Sequence, residues 1–244
     1  TSNTMEIIYA TPGYDTITLI TSNTYGNDTS RAIVHIIDIA PVTSYPYTTG
    51  FESGNTDNDS WITKNGSNAW YIGDATNNGG SQALYISQDN GATNTYNVNT
   101  TSISYAYRAL QISDTGEYTF QFDWIANGES NYDYIRAFLV PDDYMSVTAN
   151  IYPDGSTSAY SFTTASVNGW INLGEKLNQV STWNTQYDTV DITATGRYFL
   201  VFMWGNDYSA GTNPPAAIDN IIVNNGSAFV TCAAPVVSGI EIGR

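Results

Sequence analysis

The sequence predicts an all-β protein, and three observations carry that prediction. The segment from Tyr118 to Trp124 alternates aromatic and polar residues, which is the period of a strand with one buried face. The segment from Arg197 to Trp204 is apolar on both faces, as in a central strand. Turn pairs such as Asn65-Gly66, Asn90-Gly91 and Asp154-Gly155 recur between these runs. Together, these features favour a β-sandwich or jelly roll.

Charge and composition limit the partners. The 244 residues include 23 acidic and 7 basic side chains, for a formal net charge of −16. Clustered Lys and Arg are needed to contact phosphates, so we expect no nucleic-acid partner. No apolar run approaches the ~20 residues that span a bilayer, so we expect no direct membrane insertion. Low Lys with abundant Asn, Thr, Ser, Gly and Tyr is typical of an extracellular, secreted or cell-surface protein.

The pattern divides the chain into four segments. Residues 1–40 carry two or three predicted strands and are too few for a free-standing sandwich. Residues 41–49 contain two prolines among small polar residues, and we interpret them as a linker. Alternation then continues over residues 50–230, which we interpret as one large domain. Residues 231–244 are interpreted as a linker or the start of another module.

Both end segments resemble modules of surface proteins. Residues 10–19, followed by Ser22-Asn23-Thr24-Tyr25-Gly26 and a β-branched strand, resemble the C-terminal half of a PKD domain, an immunoglobulin-like spacer sandwich. Thr231, Cys232 and Pro235 resemble the start of a fibronectin type III module. The resemblances imply that the chain is a slice of a longer multidomain protein, whose other domains would be among its partners.

Three motifs of the large segment occur in a specific order. Phe51-Glu52-Ser53-Gly54 comes first, and Asp57-Asn58-Asp59-Ser60-Trp61 with Trp70 follows it. Ala217-Ile218-Asp219-Asn220-Ile221-Ile222-Val223 comes last. The combination resembles the cleaved-adhesin family, also described as choice-of-anchor J, a relative of MAM-type jelly rolls. That family usually has two acids where this chain has Asp219 and Asn220.

The first and last motifs suggest a metal site. The first and last strands of a jelly roll commonly lie near each other, so Glu52 and Asp219 can converge. The resemblance implies that this pair binds a structural calcium ion, helped by Asp57, Asn58 and Asp59. Calcium takes about 6–8 oxygen ligands, which carboxylates and carbonyls supply. The alternative is a polar surface turn, with Asp219 making hydrogen bonds at the end of a strand.

Aromatic residues suggest a sugar site. Flat rings stack on the apolar faces of sugars, while amides and carboxylates bond the hydroxyls. Trp170, after Asn168-Gly169, and Trp183, in a polar stretch, are the better candidates for exposure. Packing in the core is the alternative for any tryptophan, and we assign Trp124 and Trp204 to the core. The predicted ligand-binding residues are Trp170, Trp183, Trp70 and Tyr71.

The resulting hypothesis is a non-enzymatic, calcium-stabilised jelly-roll module of a bacterial surface or secreted protein. It would act in adhesion by binding carbohydrate or a host or cell-surface protein. One alternative is a structural accessory domain that positions the catalytic domain of a larger secreted hydrolase. Another is a polysaccharide-active enzyme, for which Asp123, Glu129 and Asp133 are the nearest paired carboxylates.

Overall fold

The computed structural model describes residues 13–36, 40–162 and 167–226, and strands dominate it, as the sequence predicts. Among these residues, no helix is long and apolar enough to cross a membrane. A single-turn helix, α1, covers Ala159–Phe162, and 3-10 turns cover Thr56–Ser60 and Asp142–Tyr144. The strands are β1 (Gly13–Asn23), β2 (Gly26–Ile36), β3 (Tyr47–Thr49), β4 (Ile62–Lys64), β5 (Ala69–Gly73), β6 (Ala83–Ser87), β7 (Ser102–Ile112), β8 (Gly116–Ala126), β9 (Tyr134–Pro141), β10 (Ile171–Leu177), β11 (Val180–Ile192), β12 (Gly196–Asn206) and β13 (Ala217–Asn225).

The chain separates between Ala40 and Pro41 into two compact units. In the first unit, β1 and β2 form an antiparallel hairpin. Several large apolar side chains of this hairpin are exposed, namely Leu19, Ile20 and Ile33. The resemblance of residues 1–40 to a PKD domain stays a prediction, and the segment 231–244 lies outside the described residues.

The second unit is an antiparallel β-sandwich. One sheet has the strand order β10-β9-β12-β7-β4. The other has the order β11-β8-β13-β6-β5, and β3 also pairs with β13. β6 pairs with Ala217 and Ile218 of β13, whereas β3 pairs with residues 221–223. The first and last strands of the large unit are therefore neighbours, as expected for a jelly roll.

Aromatic side chains from both sheets form the core. The rings of Phe122 on β8 and Phe202 on β12 lie 4.9 Å apart, centroid to centroid. Trp61 stacks on Phe202 at 6.0 Å, and Phe51 contacts Trp61 at 5.3 Å. Phe51 is fully buried, so it anchors the chain immediately before Glu52. Trp124 and Trp204 are also buried, which confirms their assignment to the core.

Residues 41–49, interpreted as a linker from sequence, instead pack against the sandwich. Val42 is buried and makes backbone hydrogen bonds with Ala109 and Gln111 of β7. Tyr47 is buried at the start of β3. The two prolines break the alternation without breaking the packing, because buried apolar residues lie between and after them.

An ion pair fastens the 3-10 turn Thr56–Ser60 to the five-stranded sheet. The Arg108 guanidinium on β7 donates from Nη2 and Nε to Asp57 Oδ1, at 2.7 and 3.1 Å. Tyr47 Oη donates to the other oxygen of Asp57. Arg108 is buried, whereas the Asp57 side chain is about one-fifth exposed, at 21%.

Replacing Arg108 tests this ion pair. Arg108→Ala leaves the Asp57 carboxylate without its cation, so we expect the free energy of unfolding to fall by about 2–3 kcal/mol, less than for a fully buried pair. The control is Lys64→Ala, which removes an exposed cation from β4 and should cost less than about 0.5 kcal/mol. Urea unfolding measures both, and equal losses would contradict the role of the pair.

Candidate functional site

A β-bulge in β13 places the predicted calcium residue Asp219. The pairing of β13 with β8 shifts register between Asp219 and Ile222, in the gap between the β6 and β3 contacts. Asn220 adopts a φ of 49°, a left-handed conformation that asparagine tolerates better than most residues. The bulge thus places the side chains of Asp219 and Asn220 close together, at the two positions of β13 between those that pair with β6 and those that pair with β3.

Glu52 and Asp219 come together at this bulge. A Cβ built on Gly50 would lie 3.5 Å from Asp219 Oδ1, 3.5 Å from Asn220 Oδ1 and 3.7 Å from Glu52 Oε1. Three side-chain oxygens therefore surround the space that Gly50 leaves open. Ser81 holds Glu52 by donating from its backbone N–H and its hydroxyl to Oε2, at 2.8 and 2.6 Å.

The Asp219 carboxylate is fully buried. Burial raises the pKa of Asp219 above its ordinary value, and the negative charges of Glu52 and Asp123 add to this effect. The backbone N–H groups of Asn78 and Asn220 donate to Asp219, each at 2.7 Å, and oppose the rise. A cation at this point would relieve the repulsion among the carboxylates.

Asp123 belongs to the same cluster, although the sequence suggested it only as a catalytic candidate. It lies opposite Asp219 across β8 and β13. Its Oδ2 accepts hydrogen bonds from the side-chain amides of Asn78 and Asn220, both at 2.9 Å. Its Oδ1 accepts from the Thr185 hydroxyl on β11 at 2.6 Å. We call Glu52, Asp123 and Asp219 the carboxylate cluster.

The other predicted calcium residues lie in or beside different contacts. Asp57 is paired with Arg108, and Asp59 is exposed on the 3-10 turn. Asn58 donates its amide to the carbonyls of Phe51 and Glu52, at 2.9 and 3.1 Å, and so braces the backbone at Glu52. Of the predicted calcium residues, Glu52 and Asp219 thus lie close together, beside Asn220, whereas Asp57 is paired with Arg108.

Trp183 and Tyr71 lie on the outer face of the six-stranded sheet. Both are partly exposed and pack on a small cluster of Tyr85, Ile125 and Ala217. Ala75, from the loop between β5 and β6, packs on the same cluster. Of the four predicted ligand-binding residues, these two retain accessible ring surface.

Trp70 and Trp170 are buried, at 2% and 8% exposure. The indole of Trp70 donates to the Ser104 carbonyl at 3.1 Å, between the sheets. Trp170 packs edge-on against Phe138 at 5.1 Å, and its indole donates to the Tyr144 carbonyl at 3.0 Å. Trp170, which we expected to be exposed, instead fills a second apolar layer over the outer face of the five-stranded sheet.

Further exposed groups on β11 extend the surface around Trp183. Thr185 and Tyr187 follow Trp183 at alternate positions, so the three side chains share one face of the strand. Gln121 of β8 lies opposite Tyr187, which is 54% exposed. We call these four residues the β11 face. Sequence reasoning missed Tyr187, although the alternation Trp183, Thr185, Tyr187 carries the signal.

A second group of acids lies at one end of the sandwich. Carboxylate oxygens of Glu129, Asp133 and Asp207 all lie within 4.8 Å of one another. Asp133 is buried and accepts hydrogen bonds from the Tyr96 hydroxyl and the Asp207 N–H. Burial raises the pKa of Asp133 to about 7, in spite of those two donors. Asp207 was not identified from sequence because it is distant from Glu129 along the chain.

The raised pKa of Asp133 predicts a pH dependence of stability. The unfolded carboxyl titrates near pH ~4, so wild-type stability falls as the pH rises from there to about 7. Asp133→Asn removes this loss and should gain on the order of 3 kcal/mol relative to wild type across that window. Urea unfolding between these pH values measures the difference. The exposed control Asp143→Asn should follow the wild-type pH profile, and a parallel profile for Asp133→Asn would contradict the assignment.

No protein-family model matches the chain, and no curated protein matches it. Solved structures do resemble it. One, described as a "Xylan-Binding Domain from CBM 22", is 17% identical and covers 73% of this chain and 92% of its own, with a TM-score of 0.43. The CBM22-1 xylan-binding domain of Paenibacillus barcinonensis Xyn10C is 12% identical over 76% of this chain and 96% of its own, with a TM-score of 0.42.

A third similar structure is TmCBM61 in complex with β-1,4-galactotriose. It is 12% identical and covers 72% of this chain and 93% of its own, with a TM-score of 0.42. These three structural neighbours are carbohydrate-binding modules, and a further similar structure is described as one of the carbohydrate-binding modules "from the beta-sandwich super family". The resemblance of the sequence to cleaved adhesins stays a prediction.

Proposed function

We propose that the large unit is a carbohydrate-binding module and that its ligand lies along the β11 face. The observation that carries this proposal is the pair of accessible rings, Trp183 and Tyr187, on one face of one strand. Four residues of strand separate them by about 13 Å. β11 is the last strand of its sheet, and Thr185 and Tyr187 are exposed on its outer face, where a ligand can reach them.

The chemistry of the β11 face suits sugars. Sugar rings present apolar C–H faces that stack on aromatic rings, and their hydroxyls need hydrogen-bonding partners. Thr185 lies between the two rings, and the Gln121 amide lies beside Tyr187. The four residues of the β11 face are uncharged, and the Asp123 carboxylate beside Thr185 is buried, which favours a neutral polysaccharide over a charged one.

We also propose that the carboxylate cluster holds a structural calcium ion. Glu52, Asp219 and Asn220 present oxygens around the space beside Gly50, and oxygen is the ligand that calcium takes. The only salt bridge in the described ranges is Arg108–Asp57, so no basic residue pairs with this cluster there. Backbone carbonyls or water would complete the coordination.

The calcium proposal connects to the sugar proposal through the loop between β5 and β6. Asn78 of this loop donates to both Asp219 and Asp123, and Ser81 donates to Glu52. Asp123 in turn accepts from Thr185 on the β11 face. An ion bound by Glu52 and Asp219 would therefore stabilise the conformation of this loop and of Thr185 in the β11 face. We propose that the large unit acts outside the cell, as one part of a longer secreted or surface protein.

Aromatic substitutions test the sugar proposal. Trp183→Ala and Tyr187→Ala each remove a stacking ring, so each should weaken polysaccharide binding by about tenfold. Affinity electrophoresis through gels that contain soluble xylan, β-glucan or galactan measures the binding. The matched control is Tyr25→Ala, which removes an exposed ring from the β1–β2 hairpin and should change nothing. Equal retardation of all four proteins would contradict the proposal.

Glycine substitutions test the calcium proposal. Gly79 and Gly80 both have positive φ, so alanine strains the backbone similarly at either position. Only at Gly80 would the added Cβ overlap the Glu52 carboxylate, whereas nothing lies within 4 Å at Gly79. Chelation by EGTA should lower the melting temperature of wild type and Gly79→Ala, and it should change that of Gly80→Ala much less.

Two results would count against calcium. One is a wild-type melting temperature that EGTA leaves unchanged. The other is an equal response of the two glycine variants, which would show that any bound ion does not need Glu52.

A further inference from the structure

A separate cavity lies at the end of the sandwich where β8 and β12 finish. Its volume is about 570 Å³, within the ~300–1,000 Å³ range of small-molecule pockets. The loop after β8 supplies Glu129 and Tyr132, and the loop after β12 supplies Asp207 and Tyr208. The remaining lining residues all carry hydroxyl groups, namely Thr101, Thr157, Ser158 and Ser209.

Among the residues that the structure describes, the lining contains two carboxylates and no basic side chain. Glu129 Oε2 is buried and finds no hydrogen-bond partner within the described part of the chain. Asp207 Oδ1 accepts from the Ser209 N–H at 2.8 Å, and Asp133 lies behind both acids. The ammonium group of Lys176 contacts the Ser130 carbonyl and Asn131 Oδ1, so it lies near this loop without lining the cavity. The cavity therefore presents uncompensated negative charge.

Two tyrosines, Tyr132 and Tyr208, line the same cavity. Tyr208 is 71% exposed at the rim, and the ring of Tyr132 lies 5.9 Å from that of Tyr160 on α1. An ammonium group is attracted both to carboxylates and to the faces of aromatic rings. The hydroxyl groups of the lining suit a ligand that also carries hydroxyls. One class of ligand combines these features, the amino sugars with a free amine.

We propose that this cavity binds a protonated amino sugar, with the ammonium group between Glu129 and Asp207 and the sugar ring beside Tyr208. This site is separate from the β11 face and does not depend on it. The buried, unpartnered oxygen of Glu129 would accept a hydrogen bond from the ammonium group. N-acetylation would remove both the charge and two of the donors, so an acetylated sugar should bind much more weakly.

Calorimetric titration with matched oligosaccharides tests the proposal. Oligomers of glucosamine and of N-acetylglucosamine of equal length are compared at ~0.15 M ionic strength, where long-range attraction to the acidic protein is largely screened. We expect the glucosamine oligomer to bind wild type at least about tenfold more tightly than the acetylated one. Glu129→Gln and Asp207→Asn keep the side-chain shapes, and each should weaken glucosamine binding by about tenfold or more.

Asp143→Asn is the matched control, because it removes one exposed carboxylate that does not line the cavity. It should bind the glucosamine oligomer like wild type. Equal losses in all three variants would show attraction to net charge alone and would overturn the proposal. Equal affinity for the two oligomers, or no binding of either, would also overturn it. So would competition by calcium at the cavity, because the carboxylates would then serve a metal ion.

Discussion

The buried carboxylate of Asp219 is the constraint on which the surface of the six-stranded sheet depends. A buried charge without partners costs several kcal/mol in effective terms, so the surrounding chain must satisfy it. The bulge in β13 supplies one N–H from Asn220, and the loop between β5 and β6 supplies another from Asn78. The same bulge ends the pairing with β6 and begins that with β3, which leads directly to Gly50 and Glu52. The need to satisfy the buried Asp219 carboxylate thus accounts for the positions of both the β5–β6 loop and Glu52.

This network also connects the two proposed functional groups. Asp123 accepts from Asn78 and Asn220 on one side and from Thr185 on the other. The β11 face therefore lies on strands whose buried polar groups already have hydrogen-bond partners before a ligand binds. A preformed surface loses less conformational freedom on binding, so a modest number of stacking and hydrogen-bonding contacts can give useful affinity. Calcium, in this account, stabilises the surface without touching the sugar.

The local sequence pattern was sufficient to predict the strands and much of the core. Alternation along Tyr118–Trp124 predicted the buried face of β8, and the adjacency of the first and last strands in a jelly roll suggested that Glu52 and Asp219 would converge. Contacts distant in sequence were not predictable in this way. Asp57 pairs with Arg108, which is 51 positions away, and Asp207 joins Asp133 from 74 positions away. Trp170 follows an Asn-Gly turn, yet it is buried because it packs against Phe138 on β9, a contact that no local pattern shows.

In the proposed binding mode, an accessible tryptophan on β11 contacts the polysaccharide. Of the six tryptophans, Trp183 is partly exposed, while Trp61, Trp70, Trp124, Trp170 and Trp204 are buried. The most direct measurement is NMR of the indole N–H signals during titration with soluble xylan, glucan and galactan oligomers. We expect one oligomer series to shift the Trp183 signal and to leave the five buried indole signals nearly unchanged. A titration that saturates while the Trp183 signal stays in place would contradict this binding mode.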